Sequence, residues 1–291
     1  MRYVEKRVSV PSGNDWHYLT VLSDLHLGNP DAAVDELQAL IKERRKLKNH
    51  HFALLGDNGD CIVPSDLKRY QASRVIPRIM PSDDYARALV EYQLDVLRDA
   101  RPLDLVVTGN HESVYLKRHH IDLVSMFAAL HPDKPAIGGM CGMLSYVMSI
   151  GPGQQRHHSY SVNLLYHHGA WYGQARIPPG ALRWAHESAE GWDVFLFGHN
   201  HRAASCVDAK FHRPERGGGD EMLARDVQVC ACGSHLRGYQ THDSPGYAEE
   251  RGHAPTPIGA PLIRWRRATT QRHELQRVTL SHNRPEIHVD R

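Results

Sequence analysis

Short apolar runs that end in glycine and polar residues recur along the chain, at residues 18–22, 51–55, 103–108, 161–166 and 194–197. Runs of this length, rich in Val, Leu, Phe and Tyr and closed by glycine, predict buried strands. The carboxyl ends of parallel strands meet at one edge of a sheet. The polar residues that follow these runs are therefore expected to lie close together.

Helical periodicity occupies the intervals between these runs. Helices are predicted after Asp31 and after Ser82, each placed to cap the amino terminus, and over residues 116–130 and 180–189. Alternation of strand and helix is typical of an α/β fold with parallel strands joined by right-handed crossovers.

The period of the pattern changes to two at about residue 144. Residues 144–150 and 159–166 are predicted as neighbouring strands of a second sheet. Further strands are predicted at about 203–211, 226–232, 260–266 and 275–280. We therefore expect one domain over residues 1–291, with an irregular excursion at 61–81 near the site and a loop-rich part at 203–291.

Composition narrows the possible partners. The 291 residues are 41% hydrophobic and 23% charged, which is enough to bury a full core. A net charge of +2 gives no global basic field, so nucleic acid is not indicated as a partner. The five cysteines include no CxxC pair, which favours reduced thiols and a cytoplasmic location. Neither a signal peptide nor a membrane segment is predicted, and nothing in the composition selects an oligomeric state.

The residues that follow the strands are those that bind divalent cations. In chain order the motifs are Asp24-x-His26, Gly56-Asp57-x-x-Asp60, Gly109-Asn110-His111-Glu112, His168-Gly169 and Gly198-His199-x-His201. A carboxylate and an imidazole two residues apart on a strand point to the same side and can converge on one ion. One such motif is equally typical of a polar strand end, but its recurrence at five strand ends favours a metal centre.

Taken together, these motifs resemble the calcineurin-like metallophosphoesterase superfamily over about residues 18–202. The resemblance implies a four-layer α/β/β/α sandwich, in which two mixed sheets pack face to face between helices. It also implies two divalent metal ions that share the carboxylate of Asp57. The ligands implied for the first ion are Asp24, His26, Asp57 and His201. Those implied for the second are Asp57, Asn110, His168 and His199. Oxygen and imidazole ligands suit manganese, iron or zinc, and the sequence does not choose among the three.

The resemblance further implies hydrolysis of a phosphoester by a hydroxide held between the two ions. His111 is placed where the family has a general acid, and Asp60 where it has the carboxylate that orients that imidazole. The alternative for His111 is a histidine that only tunes the metals. Glu112 is expected to support the loop by hydrogen bonding.

Two positions need a choice. His167 and His168 are adjacent on a strand, so only one of them can face the metals, and the glycine after His168 favours His168. Cys61 stands where the protein phosphatases of the superfamily have an arginine. Because arginine holds the dianion of a phosphomonoester, Cys61 favours a phosphodiester substrate over a phosphoprotein.

Two rival functions remain open. One is a DNA or RNA nuclease of the same superfamily, which the basic stretch at residues 264–272 favours and the near-neutral net charge disfavours. The other is a non-catalytic scaffold on the same fold. The scaffold is disfavoured because a competent residue fills every implied ligand position.

Overall fold

The computed structural model describes residues 1–11, 14–66, 70, 75–80, 82–151, 159–171, 177–212, 223–239, 249, 252, 255–267 and 285–290. The helices of this part of the chain are α1 (Val34–Arg44), α2 (Tyr85–Val96), α3 (Asn110–His119), α4 (Leu123–Leu130) and α5 (Pro179–Ser188). Its strands are β1 (Arg2–Val10), β2 (His17–Leu22), β3 (His50–Leu54), β4 (Leu103–Val106), β5 (Ala136–Ile137), β6 (Cys141–Ile150), β7 (Ser159–His167), β8 (Val194–Phe197), β9 (Ala203–His212), β10 (Leu223–Cys232), β11 (Leu262–Arg267) and β12 (Pro285–Asp290).

These strands form two mixed sheets of six strands each. Sheet I has the order β12-β11-β2-β3-β4-β5, and its strands β2 to β5 run parallel. Sheet II has the order β1-β6-β7-β8-β10-β9, and its strands β7, β8 and β10 run parallel. Strand β6 is antiparallel to β7 and parallel to β1, and β9 is antiparallel to β10. The predicted pairing of residues 144–150 with 159–166 is confirmed as the antiparallel pair β6–β7.

Alternate residues of each central strand enter different cores. Leu19 and Val21 of β2 pack between the sheets with Tyr146 and Trp265, whereas Leu22 packs against the helices. Such alternation follows from the two-residue period of a strand that is buried on both faces.

Helices cover the outer face of each sheet. On the outside of sheet I, the core joins β2, β3 and β4 to α1, α2 and α4. On the outside of sheet II, Ala181 and Ala185 of α5 pack against Trp192 and Phe195. The four-layer α/β/β/α architecture is therefore confirmed.

The helix predicted over residues 116–130 is wrong in its boundaries. The structure has two helices, α3 and α4, which are separated at residues 120–122. His120 has a left-handed backbone with φ of 56°, and Asp122 accepts a hydrogen bond from the Ser125 N–H at 3.0 Å. A new amino-terminal cap here competes with continuation of the first helix.

Both predicted helix caps are also wrong. Asp84 rather than Ser82 caps α2, because its carboxylate accepts from the Arg87 N–H at 3.0 Å while the Ser82 hydroxyl accepts from the Asp84 N–H at 3.2 Å. Helix α1 has Ala33 at the cap position instead of Asp31, with no side-chain cap. The backbone carbonyl of Asp31, two residues before Ala33, accepts a hydrogen bond from the Arg237 N–H at 2.9 Å.

Some predictions lie outside the described residues. The strand at 275–280 and parts of the excursion at 61–81 are among them, whereas β12 was not predicted. None of the five cysteines, all of which lie in the described part of the chain, forms a disulfide. Each described helix is too short or too polar to cross a bilayer.

Candidate metal centre

The loops that follow the strands adopt an unusual backbone conformation. Asp24, His26, Asp57, His199 and His201 all have φ between 47° and 69°. Residues other than glycine rarely adopt this left-handed region, and such strain concentrates at functional sites. The loops hold one another in place, since the Asp24 N–H donates to the Gly56 carbonyl and the His26 N–H to the Asp57 carbonyl, each at 3.0 Å.

A first cluster joins Asp24, His26 and His201. The Nε2 atoms of His26 and His201 lie 3.3 Å apart, and His201 Nε2 lies 3.3 Å from Asp24 Oδ1. One ligand atom from each of the three residues falls within 4.8 Å of the others. Two imidazole nitrogens and a buried carboxylate that converge in this way form a donor set that fits a divalent cation.

A second cluster joins Asp57, His168 and His199, with Asn110 beside it. His168 Nδ1 donates to the Leu55 carbonyl at 2.8 Å, which leaves Nε2 facing Asp57 Oδ2 at 3.2 Å and Asn110 Oδ1 at 3.0 Å. A nitrogen that faces two acceptor oxygens needs a proton or a cation between them. This donor set also fits a divalent cation.

Electrostatics in the centre are dominated by buried carboxylates. Burial by itself raises the pKa of Asp57, but the charges of His168, His111 and His26 and the hydrogen bond with His168 together outweigh it and hold this pKa well below its usual value. Burial lowers the pKa of His168, whereas the charge and hydrogen bond of Asp57 raise it to about 10. The two carboxylates Asp24 and Asp57 thus stay ionised and attract positive charge into the site.

The two clusters are adjacent. The His199 N–H donates to both Asp24 oxygens, at 2.9 and 3.1 Å, so the backbone of one cluster bonds the carboxylate of the other. Asp57 acts electrostatically on His26 as well as on His168. A bridging position of Asp57 between two ions stays a prediction.

Two glycines allow the loops to approach this closely. A Cβ on Gly109 would lie 2.1 Å from Asp57 N and Oδ1, and one on Gly198 would lie 2.2 Å from Ser23 Oγ. A side chain at either position would displace a carboxylate of the centre, which explains the glycine that precedes Asn110 and His199.

Glu112 supports the loop, as the sequence predicted. Its buried carboxylate accepts four backbone N–H groups, from Asp57 at 3.1 Å, Asn58 at 2.7 Å, Gly59 at 3.2 Å and Gly109 at 2.9 Å. The end of β3 and the start of α3 are thereby joined through a single side chain.

His111 and Asp60 lie beside the first cluster. His111 Nδ1 is hydrogen-bonded to the backbone carbonyl of Asp60, and the Asp60 carboxylate lies 3.8 Å from the same nitrogen. The carboxylate is closer to His26, with Asp60 Oδ1 at 3.2 Å from His26 Nδ1. Asp60 therefore orients a predicted metal ligand in addition to the predicted acid.

The structure separates the two adjacent histidines. The His168 ring faces Asp57, whereas His167 Nδ1 accepts from the Gly169 N–H at 2.8 Å and its ring packs on Trp171 and Trp184. Burial lowers the pKa of His167 to about 4, so this ring is neutral. His167 belongs to the core beneath α5.

Sequence reasoning missed the segment that follows β10. The Ser234 hydroxyl donates to the Asp24 carbonyl at 2.8 Å, the His235 N–H donates to the same oxygen at 3.2 Å, and the Ala33 N–H donates to the His235 carbonyl at 2.7 Å. This segment, residues 233–237, supports the loop that carries Asp24 and His26 through these hydrogen bonds. No local pattern reveals it, because its partner is 210 positions away in the chain.

No family model matches the chain, and no curated protein shows a significant sequence match. Among solved structures, the chain is similar to the calcineurin-like phosphoesterase YfkN from Bacillus subtilis, with 11% identity and a TM-score of 0.43 over 94% of this chain and 90% of that one. It is also similar to the NAD nucleotidase NadN of Haemophilus influenzae, with 10% identity and a TM-score of 0.35 over 77% of this chain. That match spans only 46% of the length of the nucleotidase. The first match bears the name of the family that the motifs resemble, and the function proposed below rests on the side chains of the site.

Proposed function

We propose that the protein is a phosphoesterase that depends on two divalent metal ions and hydrolyses phosphodiesters in preference to phosphomonoesters. The observation that carries this proposal is the pair of adjacent clusters in which acceptor atoms face one another. His26 Nε2 faces His201 Nε2, and His168 Nε2 faces Asp57 and Asn110. Such arrangements are stable when a cation lies between the acceptors.

When bound, two such ions would polarise the phosphoryl oxygens and lower the pKa of a water between them. The ligands for the first would be Asp24, His26 and His201, and those for the second Asn110, His168 and His199, with Asp57 shared. In the reaction, a water oxygen bonds to phosphorus while the bond from phosphorus to the leaving oxygen breaks.

The leaving oxygen needs a proton, which we assign to His111. Its Nδ1 is occupied by the Asp60 carbonyl, so Nε2 is the nitrogen that donates. The Asp60 carboxylate, 3.8 Å from Nδ1, lies at ion-pair distance from the protonated ring.

Preference for a diester rests on Cys61. Its side chain is 4% exposed and its backbone is left-handed, with φ of 53°. A buried thiol at this position offers no counter-charge for the second negative charge of a monoester.

Of the basic stretch at residues 264–272, residues 268–272 lie outside the described residues, and the described part on β11 gives the nuclease alternative little support. Arg264 and Arg266 lie over the Trp16 ring, and the register of β11 with β2 pairs Trp265 with His17. These arginines therefore sit at the amino end of β2, whereas the metal-binding loop follows its carboxyl end. A polynucleotide bound at the metals would not contact them directly.

The test is hydrolysis by metal-stripped protein that has been reconstituted with manganese, iron or zinc. The substrates are bis(4-nitrophenyl) phosphate, 4-nitrophenyl phosphate, and single- and double-stranded DNA. We expect metal-dependent turnover of the diester that exceeds that of the monoester. Asp57→Asn should abolish turnover, while His186→Asn, which changes a histidine on α5 paired with Asp208, should leave it intact.

Metal-dependent DNA cleavage would replace the proposal with the nuclease. Absence of turnover with every metal and substrate would overturn it and favour the scaffold.

A further inference from the structure

A cavity of about 340 Å³ lies beside α3, outside the metal clusters. One wall is Val63 to Ser65, which follows the Asp60–Cys61 loop, and the opposite wall is Tyr115 and His119 of α3. The two walls are tied together, because Ser65 Oγ lies 3.2 Å from His119 Nε2. The amino end of α2 closes the third side.

The interior of the cavity is aromatic. The Tyr85 and Tyr115 rings are stacked with centroids 6.0 Å apart, and the His119 ring lies 4.5 Å from that of Tyr115. A flat group or a small cation gains contact energy against such rings.

The rim of the cavity is acidic. Asp83 and Asp84 both line it, and the carboxylate of Asp84 caps α2 by accepting from the Arg87 N–H. A second phosphate or a carboxylate at this rim would meet like charge, whereas an ammonium or amino group would meet acceptors.

The cavity lies on the same face of α3 as the proposed acid. His111, Tyr115 and His119 are spaced by four residues, so their side chains follow one another along that face. Tyr115 is one turn beyond His111, about 6 Å along the axis. Tyr85, which lines the cavity, also interacts electrostatically with Asp60 and Cys61 of the loop beside the metals. Because the acid must stand next to the leaving oxygen, the cavity one turn further along α3 is within reach of the group attached to that oxygen.

We propose that the cavity is the subsite for the leaving group of the diester, and that it selects a ring-bearing alcohol with an amine or another cationic edge. This inference rests on the proposed function and specifies its substrate class. Stacking on Tyr85 and Tyr115 holds the ring, and Asp83 receives the positive edge. A polynucleotide is disfavoured because its next phosphate would approach the acidic rim.

The test uses two methyl aryl phosphodiesters whose leaving phenols have similar acidity, one with a 4-aminomethyl and the other with a 4-carboxyl substituent. The reconstituted wild-type protein should favour the aminomethyl ester in kcat/KM by about tenfold, mainly through KM. Asp83→Lys should bring the ratio to about one or invert it. Glu91→Lys makes the same charge change on α2 outside the cavity and should keep the wild-type ratio.

Equal kcat/KM for the two esters in the wild-type protein, or a ratio that Asp83→Lys leaves unchanged, would overturn the subsite while the phosphoesterase stands. Turnover of neither ester, with no turnover of bis(4-nitrophenyl) phosphate either, would overturn the phosphoesterase, whereas turnover of bis(4-nitrophenyl) phosphate alone would overturn the subsite. Titration of the chelated protein with 4-(aminomethyl)phenol, followed by NMR of the tyrosine rings, then tests ligand binding in the cavity independently of catalysis. Shifts of the Tyr85 and Tyr115 signals that Asp83→Lys abolishes would support binding, and unshifted signals would overturn it.

Discussion

At the scale of single residues, His111 offers the sharpest test of catalysis, because only some leaving groups need its proton. For His111→Ala we expect kcat on alkyl or nucleoside diesters to fall by about 10² to 10⁴, and kcat on nitrophenyl diesters to fall by less than about tenfold. Nitrophenolate leaves without protonation, whereas an alkoxide does not. The measurement is kcat on both substrate types with the same metal.

The control for this variant is its metal content. The centroids of the His111 and His26 rings are 4.7 Å apart, so a change at His111 that altered metal binding would also lower activity. Equal losses on both substrates would assign His111 to metal tuning. A loss restricted to poor leaving groups at unchanged metal content would assign it to proton transfer.

Glu112 is expected to contribute to stability rather than to catalysis. Glu112→Gln replaces one of the two carboxylate oxygens by an amide N–H₂, which cannot accept a hydrogen bond. Because each oxygen of Glu112 accepts from two of the four backbone N–H groups, two of these donors lose their acceptor. We expect the free energy of unfolding to fall by about 2–3 kcal/mol. Urea unfolding of the chelated protein measures it.

Glu91→Gln is the matched substitution for Glu112→Gln, because Glu91 makes only an exposed pair with Arg87 at 2.8 Å. Its effect should stay within about 0.5 kcal/mol. Similar losses for the two variants would show that the backbone donors do not depend on Glu112.

At the scale of elements, the segment 233–237 is expected to control the first metal cluster without touching a metal. Ser234→Ala removes the hydroxyl that donates to the Asp24 carbonyl at 2.8 Å, so the strained backbone at Asp24 loses one of its supports. We expect weaker metal binding, by about tenfold, and a stability loss of about 1 kcal/mol. Metal titration of the apo protein measures the first effect.

Ser145→Ala separates stability from metal binding. The buried hydroxyl of Ser145 donates to Asn163 within sheet II at 2.7 Å, so its loss should reduce stability similarly while metal affinity stays at the wild-type value. If Ser145→Ala weakened metal binding as much as Ser234→Ala, the effect would be one of general stability.

The sequence correctly predicted the features that depend on neighbouring residues in the chain. The strands that end before Asp57 and His199 were read from apolar runs, and the motifs after them from residue type. The break at His120 was missed because helical periodicity continues across it and only the Asp122 cap interrupts it. The Ser234 contact was missed because a hydrogen bond between distant segments leaves no local trace.

At the scale of the whole molecule, the arrangement of the sheets could not be read from periodicity. The loops of the candidate metal centre come from both sheets: Asp57 follows β3 in sheet I, and His199 follows β8 in sheet II. Periodicity identified the strands, but which strands share a sheet depends on pairings such as β1 with β6, which are over 130 residues apart in sequence. The resemblance to a known family implied the four-layer architecture, but it did not predict these pairings.

Two buried histidines at the end of the sheets opposite the candidate metal centre lead us to expect that stability depends on pH. Burial, followed by the charge of His51, lowers the pKa of both His17 and His50 to about 4. Among the described residues, His17 Nε2 and His50 Nδ1 have no hydrogen-bond partner, as suits rings buried in the neutral form. In the unfolded chain these rings titrate near their usual pKa of about 6.5.

Because the folded-state pKa is lowered, the unfolded chain binds more protons between pH about 6.5 and 4, and stability falls as the pH decreases through that window. We expect each ring to contribute a loss of about 2 kcal/mol between pH 7 and pH 4, after screening by solvent. Urea unfolding across this range, with chelator present so that loss of metal adds nothing, should show the decline. The double variant His17→Phe/His50→Asn should make the decline shallower, and His120→Asn, at an exposed left-handed position that asparagine tolerates, should not. A double variant that declines as steeply as the wild-type protein would place the acid sensitivity in other groups.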